Sequence, residues 1–484
     1  MIVFLLYRKG DGEMRVLEQS DERTHERALL EVLYRQAEQL HKKPAYQGFH
    51  QVVRKLVSDG LYGSWINHYS SNEIKWLGLQ IMPERDQLLS AKQLLQYMKE
   101  FVTCNHYDRR LGLPQERLML IAMAAMRDET VQRLQKVREA YWVLSMGYVT
   151  LPDDIMAFFG KTFYPGQPVR RLHSMNLLDS RIPSFLASQV KEKHVRIPTT
   201  FMEQVKACGS WLVFDMEEVR RVMNGSLQDV GSESFRRAVA NPSITHKRLS
   251  AIGLMKQLLA SDGIVFHFDD DFQRGTKGLH SHIQLSKVLR RNILARVCGI
   301  HVRLLNGILD VWEREDNRRD LQIEAAGWEE ALADQRISLH SEQAVSFIEE
   351  LSEEINLHVI KTSLQLAKEK GPYLQFEGSD WQSGSYFEQR SYTTEEWQKV
   401  RNEIAGNGIR NGCLRKASDT ENLSGYSLTK HQQLSMINRL AVQQNHTDVG
   451  GSITLEKSAF IETAELLQLL MKAWNCGIKE VYIK

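Results

Sequence analysis

Residues 245–268 read THKRLSAIGLMKQLLASDGIVFHF, and this stretch decides the fold class. Its first part carries apolar residues at helical spacing and stops at Asp262 and Gly263, which form a turn signal. Residues 264–268 are then apolar except for His267, as expected for a buried strand. A helix that passes through a short turn into a buried strand is typical of α/β folds, whose parallel strands lie between helices.

The same alternation extends in both directions after Gly147. Helices are predicted at about 286–313, at 342–370, where Gly371 and Pro372 stop the helix, and at 458–476. Short strands are predicted at 148–151, 281–285 and 478–483. The pattern predicts an α/β body, although periodicity alone does not distinguish a barrel from an open sheet.

The first part of the chain has a different pattern. Residues 2–17 read as a β-hairpin and residues 21–43 as a helix. Further helices are predicted at 47–59, 72–81, 89–101, 114–127 and 129–146, the last ending at Gly147. We therefore predict three domains: a hairpin and helix at 1–45, a helical domain at 46–147, and the α/β body at 148–484.

Composition and charge exclude several classes of protein. Of the 484 residues, 42% are hydrophobic and 25% charged, with a formal net charge of +2, so a disordered chain and a nucleic-acid-binding surface are not expected. No apolar run approaches the length of a membrane span. The cysteines are scattered without a close pair, which favours a reducing, cytoplasmic location: Cys104, Cys208, Cys298, Cys413 and Cys476.

A histidine- and aspartate-rich segment is the clearest candidate for metal chemistry. His280 and His282 stand two residues apart on a predicted strand, so their side chains point the same way and could share an ion with a carboxylate. His267 and Asp269 lie just upstream in the chain. The alternative is an acidic loop beside polar strand positions. Because no second ligand pair has diagnostic spacing, we expect no metal and no cofactor, with His267, Asp269 and His282 as the weak candidates.

Two further patterns have ordinary interpretations. The glycines from Gly406 to Gly412 resemble a phosphate-binding loop, but they follow a helix where such a loop would follow a strand, so a helix-ending turn is expected. Cys298 lies at helical spacing among apolar neighbours and is expected to be buried. The residues alone define no active site.

Five strings nevertheless resemble the large (α) subunit of class I ribonucleotide reductase, in the order that family has them. They are 201–214 (FMEQVKACGSWLVF), 304–311 (LLNGILDV), 367–384 (AKEKGPYLQFEGSDWQSG), 397–411 (WQKVRNEIAGNGIRN) and 470–482 (LMKAWNCGIKEVY). The resemblance implies a helical N-terminal domain, with at most a remnant of an ATP-cone at 1–45. It also implies a ten-stranded α/β barrel of two antiparallel halves, made incomplete here by deletions.

The resemblance also implies where the chemistry of the family would lie, and those positions are degenerate. An asparagine, a radical-forming cysteine and a glutamate base are replaced by His282, Gln284 and Ser286. One reducible cysteine falls at Ser174, and of the tandem tyrosines that relay the radical only Tyr482 remains. The C-terminal cysteine pair of the family is also expected to be missing. No catalytic residue is therefore expected, since glutamine forms no thiyl radical.

The nucleotide-binding elements of the family have changed as well. The loop after the first barrel strand contains Asp153 beside a second aspartate, and the phosphate loop is reduced to Ser418 and Thr420 among acidic residues. Carboxylates there would repel a diphosphate, so we expect weak or no nucleotide binding.

These losses predict a pseudoenzyme of nucleotide metabolism that acts through protein–protein contact. The expected partner is a second copy of the chain or another reductase-like subunit, and no nucleic acid or membrane is expected to bind. Two rival hypotheses are a divergent active reductase, with Cys298 as its radical cysteine, and a barrel repurposed for another reaction that could require a metal. An unrelated α/β protein with chance matches is the remaining alternative.

Overall fold

The computed structural model divides the chain into two compact units. One contains Met1–Gln167 with Gly299–Arg314, and the other contains Pro168–Cys298 with Glu315–Lys484. The structure describes residues 7–8, 14–15, 22–41, 44–103, 112–162, 174–177, 193–207, 246–260, 263–268, 278–311, 318–419, 428–457 and 461–484. The domain boundaries after residues 45 and 147 stay predictions.

The first unit is mainly helical. A short antiparallel pair, β1 (Tyr7–Arg8) and β2 (Met14–Arg15), stands where the hairpin was predicted, and β3 is Val149–Thr150. The α-helices follow in chain order: α1 (Glu22–His41), α2 (Phe49–Ser58), α3 (Ser71–Gly78), α4 (Ala91–Gln96), α5 (Pro114–Ala125), α6 (Arg133–Ser145) and α7 (Asp153–Phe158). The six helical segments predicted between residues 21 and 146 all contain a helix, each shorter than predicted by a few residues at one or both ends.

Helix α5 forms the centre of this unit, and every one of its residues is buried. Its polar side chains are satisfied inside the unit. Arg117 donates hydrogen bonds to the hydroxyl of Tyr62 and to the carbonyl oxygens of Met156 and Phe159, at 2.8, 2.8 and 2.9 Å. A buried guanidinium is tolerated only when its donors are paired, so these contacts explain why a charged residue can occupy the core.

The second unit alternates helices and strands. Its helices are α8 (Thr199–Lys206), α9 (His246–Ala260), α10 (Leu285–Leu289), α11 (Leu294–Val311, which from Gly299 onward belongs to the first unit), α12 (Trp328–Asp334), α13 (Glu342–Lys370), α14 (Asp380–Ser383), α15 (Ser385–Gln389), α16 (Glu395–Asn407), α17 (Lys430–Gln444) and α18 (Thr463–Asn475). Mixed helices and strands confirm the α/β class.

Two groups of strands form the sheet structure of this unit. A five-stranded sheet has the order β4 (Ser174–Asn176), β5 (Lys193–Arg196), β6 (Ile264–His267), β10 (Glu480–Ile483), β9 (Ser452–Leu455). Its pairs are parallel except for β6 and β10, which are antiparallel. Separately, β7 (Leu279–Gln284) pairs in parallel with β8 (Leu321–Ala326). The strands predicted at 264–268, 281–285 and 478–483 are present, divided between these two groups.

Some predicted elements end elsewhere or are divided. The helix predicted at 286–313 is interrupted between α10 and α11, where Asn292 has a φ of 52°. A left-handed residue cannot continue a right-handed helix, which explains the break. Gly408 ends α16 with a φ of 75°, so the glycine-rich segment after it begins as the expected helix-ending turn. Among the residues that the structure describes, no helix is long and apolar enough to cross a membrane.

Candidate functional site

Buried and partly buried residues alternate along strand β7. Leu279, Ser281 and Ile283 are buried. The three partly buried residues are His280, His282 and Gln284. Because side chains alternate along a strand, all three point to the same side of β7. The predicted common orientation of the two histidines is therefore found.

Glu324 on β8 completes a group of three potential ligands. It is the direct strand partner of His282. Nε2 of His280 lies 2.6 Å from Oε1 of Glu324, and Nε2 of His282 lies 3.7 Å from Oε2 of the same carboxylate. The two imidazole rings meet edge to face, with centroids 4.5 Å apart. Two histidines and one carboxylate therefore converge on one point.

Lysine and aspartate side chains extend this group. Nζ of Lys416 lies 2.7 Å from Oε1 of Glu324 and 3.0 Å from Oδ2 of Asp419. Burial opposes ionisation of Glu324, but the hydrogen bond from His280 and the charge of Lys416 outweigh it and lower the pKa of that carboxyl. Burial, together with the neighbouring His280, lowers the pKa of His282. The group therefore favours a charged carboxylate beside a neutral imidazole.

A second group lies on the five-stranded sheet. His194 on β5 and His267 on β6 are both buried, and Nδ1 of His194 lies 2.8 Å from Nε2 of His267. Glu480 on β10 is the strand partner of His267 and accepts a hydrogen bond of 2.7 Å from the hydroxyl of Tyr482. Burial, with the charges of His194 and Arg196, lowers the pKa of His267 to about 3. His267 and His282 thus belong to different groups, and Asp269 lies outside the described residues.

The position expected for the radical cysteine lies where β7 becomes α10. Gln284 is the residue before that helix, and Ser286 is in its first turn. A side chain built on Gly327 would come within 3.9 Å of Oε1 of Gln284 and 3.7 Å of Oγ of Ser286, so the two side chains border the same point after β8. Oε2 of Glu330 borders this point too, 3.4 Å from a Cβ atom built on Gly327. This position holds an amide, a hydroxyl and a carboxylate.

Two described cysteines of this unit, Cys298 and Cys413, lack the properties of reactive thiols. Burial raises the pKa of Cys298 to about 12 and that of Cys413 well above its ordinary value. Sγ of Cys413 donates to the carbonyl of Leu321, at the opposite end of β8 from Ala326, the strand partner of Gln284. Five residue steps separate these ends, or about 16 Å. Cys413 therefore does not lie beside Gln284.

The remaining predicted site residues are spread over the chain. Ser174 begins β4, Tyr482 contacts Glu480 as described, and Asp153 begins α7 in the first unit. Thr420 lies outside the described residues. Ser418 donates its hydroxyl proton to the carbonyl oxygen of Ala325, and Asp419 accepts a hydrogen bond of 2.8 Å from the backbone of Ser452. The side chains of Ser418 and Asp419, in the predicted phosphate loop, are thus engaged within the protein.

Comparison with known proteins shows which family the chain resembles. Residues 281–425 match the family model for the barrel domain of ribonucleotide reductase. The comparisons support membership of the class I ribonucleotide reductase large-subunit family. The matched range contains His282, Gln284, Glu324 and Ser418, whereas His280 lies one residue before it. Three of the five strings, 304–311, 367–384 and 397–411, lie inside that range, and the predicted family is confirmed.

Individual large subunits show how far the similarity extends. The chain is 21% identical to "Ribonucleoside-diphosphate reductase subunit alpha" of Treponema pallidum over 631 aligned positions, covering 90% of this chain and 75% of that protein. The protein of the same name from Synechocystis is 27% identical, over 48% of this chain and 38% of its own length. The one from Helicobacter pylori is 33% identical, over 29% of this chain and 21% of its own length.

Sequence reasoning missed two members of this group, since neither Glu324 nor Lys416 was singled out as a candidate site residue. Neither residue stands near the histidines in the chain, and only the pairing of β7 with β8 brings the carboxylate to them. A signal was available: a charged residue inside the mainly apolar run 321–326 is unusual unless it has a partner.

Proposed function

We propose that this chain is a large-subunit homologue without reductase chemistry, which acts in nucleotide metabolism through protein contact in the cytoplasm. The observation that carries the proposal is that a glutamine, Gln284, stands where the resemblance to the family predicts the radical cysteine. A thiol forms a sulfur-centred radical by losing one hydrogen atom, and a primary amide offers no equivalent group. His282 and Ser286 on either side replace the orienting amide and the base, so three roles are lost together.

The thiols described elsewhere support this proposal. A substitute cysteine would have to reach the position of Gln284, and Cys413 lies about 16 Å away along β8. Cys298 is fully buried, and its raised pKa keeps it as a neutral thiol. The rival hypothesis of a divergent reductase that uses Cys298 would require that fully buried side chain to become accessible to a substrate.

Contacts in the predicted phosphate loop support the prediction that nucleotides bind weakly or not at all. A hydroxyl that binds phosphate must donate its proton to a phosphate oxygen, whereas the Ser418 proton is already used by the carbonyl of Ala325. Asp419 adds a carboxylate beside it, paired with Lys416. A diphosphate would have to break this pair or approach a negative charge.

A surface feature supports a role in protein contact. Four of the large apolar side chains exposed in the described residues lie between positions 76 and 88: Trp76, Leu79, Met82 and Leu88 are 37%, 80%, 40% and 50% exposed. Exposed apolar groups concentrated in one segment are typical of interaction sites. We propose that this segment, 76–88, binds a second copy of the chain or another reductase-like subunit.

Sedimentation velocity tests the contact proposal. We expect the wild-type chain to sediment as an assembly at micromolar concentration, either alone or when mixed with a reductase-like subunit from the same organism. Leu79→Ser should shift the sedimentation coefficient toward that of the monomer. Leu374→Ser is the matched control, since Leu374 is 78% exposed but lies outside the segment. Equal effects of the two substitutions would refute the role of segment 76–88. Deoxyribonucleotide formation, treated in the Discussion, tests the loss of chemistry.

A further inference from the structure

The group formed by His280, His282 and Glu324 has the composition of a metal site. The three residues offer two imidazole nitrogens and a carboxylate oxygen, which all lie within 4.8 Å of one another. Two histidines and one carboxylate bind catalytic zinc in some hydrolases and ferrous iron in many oxygenases. We propose that these residues bind one divalent transition-metal ion of the zinc and iron(II) class.

The backbone holds the ligands in place before any ion arrives. His280 and His282 are fixed on one side of β7 by the strand alternation, and Glu324 faces them from the neighbouring strand. An ion about 2.1 Å from each ligand atom places those atoms roughly 3 Å apart. The carboxylate oxygens of Glu324 lie 2.6 Å from Nε2 of His280 and 3.7 Å from Nε2 of His282, on either side of that value. Rotation of the side chains, with the strands fixed, is therefore sufficient to bring these atoms to an ion.

Lys416 and Asp419 supply the surroundings that a ligating carboxylate requires. Lys416 holds Oε1 of Glu324 and orients the carboxylate, while Oε2 faces His282. Partners of this kind fix the direction of metal ligands and increase their affinity. Asp419 compensates the positive charge of Lys416 at 3.0 Å, which reduces its repulsion of a bound cation.

The site is open on one side. The side chains of His280 and His282 are 39% and 35% exposed, whereas that of Glu324 is only 6% exposed. A metal ion could therefore enter from solvent, and with three protein ligands it would keep positions for water or a small molecule. This arrangement differs from a closed structural site, in which four protein ligands surround the ion.

The second group of two histidines and a carboxylate, His194, His267 and Glu480, is the competing location. Its two histidines are almost completely buried, and their facing nitrogens are already joined by a hydrogen bond of 2.8 Å. An ion would have to replace one hydrogen bond in either group, that between His194 and His267 or that between His280 and Glu324. Only the histidines on β7 are partly exposed to solvent, and we therefore assign the ion to the group on β7 and β8.

Calorimetric titration of the chelator-treated full chain with Zn²⁺ alone, and the visible absorption of Co²⁺ alone, test the proposal. We expect one ion per chain in the micromolar range or tighter, and at least tenfold weaker binding by His282→Asn and by Glu324→Gln. His358→Asn is the matched control, because His358 lies 3.6 Å from Glu354 without a second histidine described beside it. His267→Asn tests the competing location.

The outcomes are distinct. Loss of binding in the β7 and β8 variants, with His358→Asn and His267→Asn unchanged, supports the site. Binding that survives His282→Asn, binding lost only in His267→Asn, or no micromolar binding by the wild-type chain overturns it. Unchanged thermal unfolding of each apo variant shows that a loss is not caused by misfolding. The readout is ion binding, so its result is independent of whether the chain lacks reductase chemistry.

Discussion

His282 and Glu324 are direct partners across the parallel strands β7 and β8, with Nε2 of the histidine 3.7 Å from Oε2 of the carboxylate. The resemblance to the reductase family predicts that the first of these positions corresponds to a substrate-orienting asparagine. Here both residues place ionisable groups at one point of the barrel domain, and together with Lys416 they form a polar cluster.

Packing of α5 against α11 is predicted to depend on Gly307. A Cβ atom at this position would lie 2.1 Å from the carbonyl oxygen of Ala125, which is backbone and cannot rotate away. We expect Gly307→Ala to lower the free energy of unfolding by about 1–3 kcal/mol, measured by urea denaturation. In Gly406→Ala, the control, a Cβ meets nothing within 4 Å and the substitution should be neutral or slightly stabilising. Equal changes in unfolding free energy for the two substitutions would show that α5 and α11 do not approach this closely.

Stability of the first unit is predicted to depend on pH through Glu116. Burial raises the pKa of this carboxyl to about 8, although it accepts a hydrogen bond of 2.9 Å from the backbone of Leu113. Because the folded pKa lies above the unfolded one, the stability that the protonated group contributes is complete below about pH 4.5 and is lost as the pH rises through 8.

Glu116→Gln removes this titration. We expect the variant to match the wild-type chain near pH 4.5 and to exceed its unfolding free energy by at least about 1 kcal/mol at pH 9, measured by chemical denaturation across that range. A difference that is constant with pH would contradict the raised pKa.

Thiol protection provides a third prediction. Cys298 and Cys413 are buried with raised pKa values, whereas Cys476 is partly exposed. Because the thiolate is the reactive form, we expect iodoacetamide at pH 8 to modify Cys476 before Cys298 and Cys413, which should stay unmodified until urea unfolds the chain. Peptide mass mapping measures each site. Rapid alkylation of Cys298 in the folded chain would support the divergent-reductase rival.

Nucleotide binding provides a fourth prediction. We expect calorimetric titration with the four ribonucleoside diphosphates, with and without Mg²⁺, to show no micromolar binding. Ser418→Ala should leave the result unchanged, because the hydroxyl proton is directed to Ala325. Micromolar binding without metal, abolished by Ser418→Ala, would show that the phosphate loop still functions.

Much of the fold could be predicted from local pattern. Helix α13 has the predicted bounds, 342–370, because a left-handed glycine, Gly371, ends it and Ser341 caps its start. The break at Asn292 was not predicted, since the residues on both sides have helical spacing and asparagine gives no strong stop signal. Strand β9 was missed because four residues carry too little periodicity to distinguish a strand from a loop.

The site could be predicted only in part. The shared orientation of His280 and His282 follows from strand alternation, which acts over two residues. The partners Glu324 and Lys416 are 42 and 134 positions further along than His282, and strand pairing, which a single sequence does not encode visibly, brings them together. The same limit applies to His194 and His267, whose contact joins two strands that are 73 residues apart.

Loss of reductase chemistry is the central claim, and deoxyribonucleotide formation tests it most directly. The measurement is conversion of the four ribonucleoside diphosphates by the purified full chain, supplied with a dithiol reductant and the radical-supplying components of a class I reductase. The alpha subunit of an active reductase in the same mixture is the positive control. We predict no deoxyribonucleotide above the level without the chain, while the control turns over. Multiple turnovers by the wild-type chain, abolished by Cys298→Ser, would contradict the account.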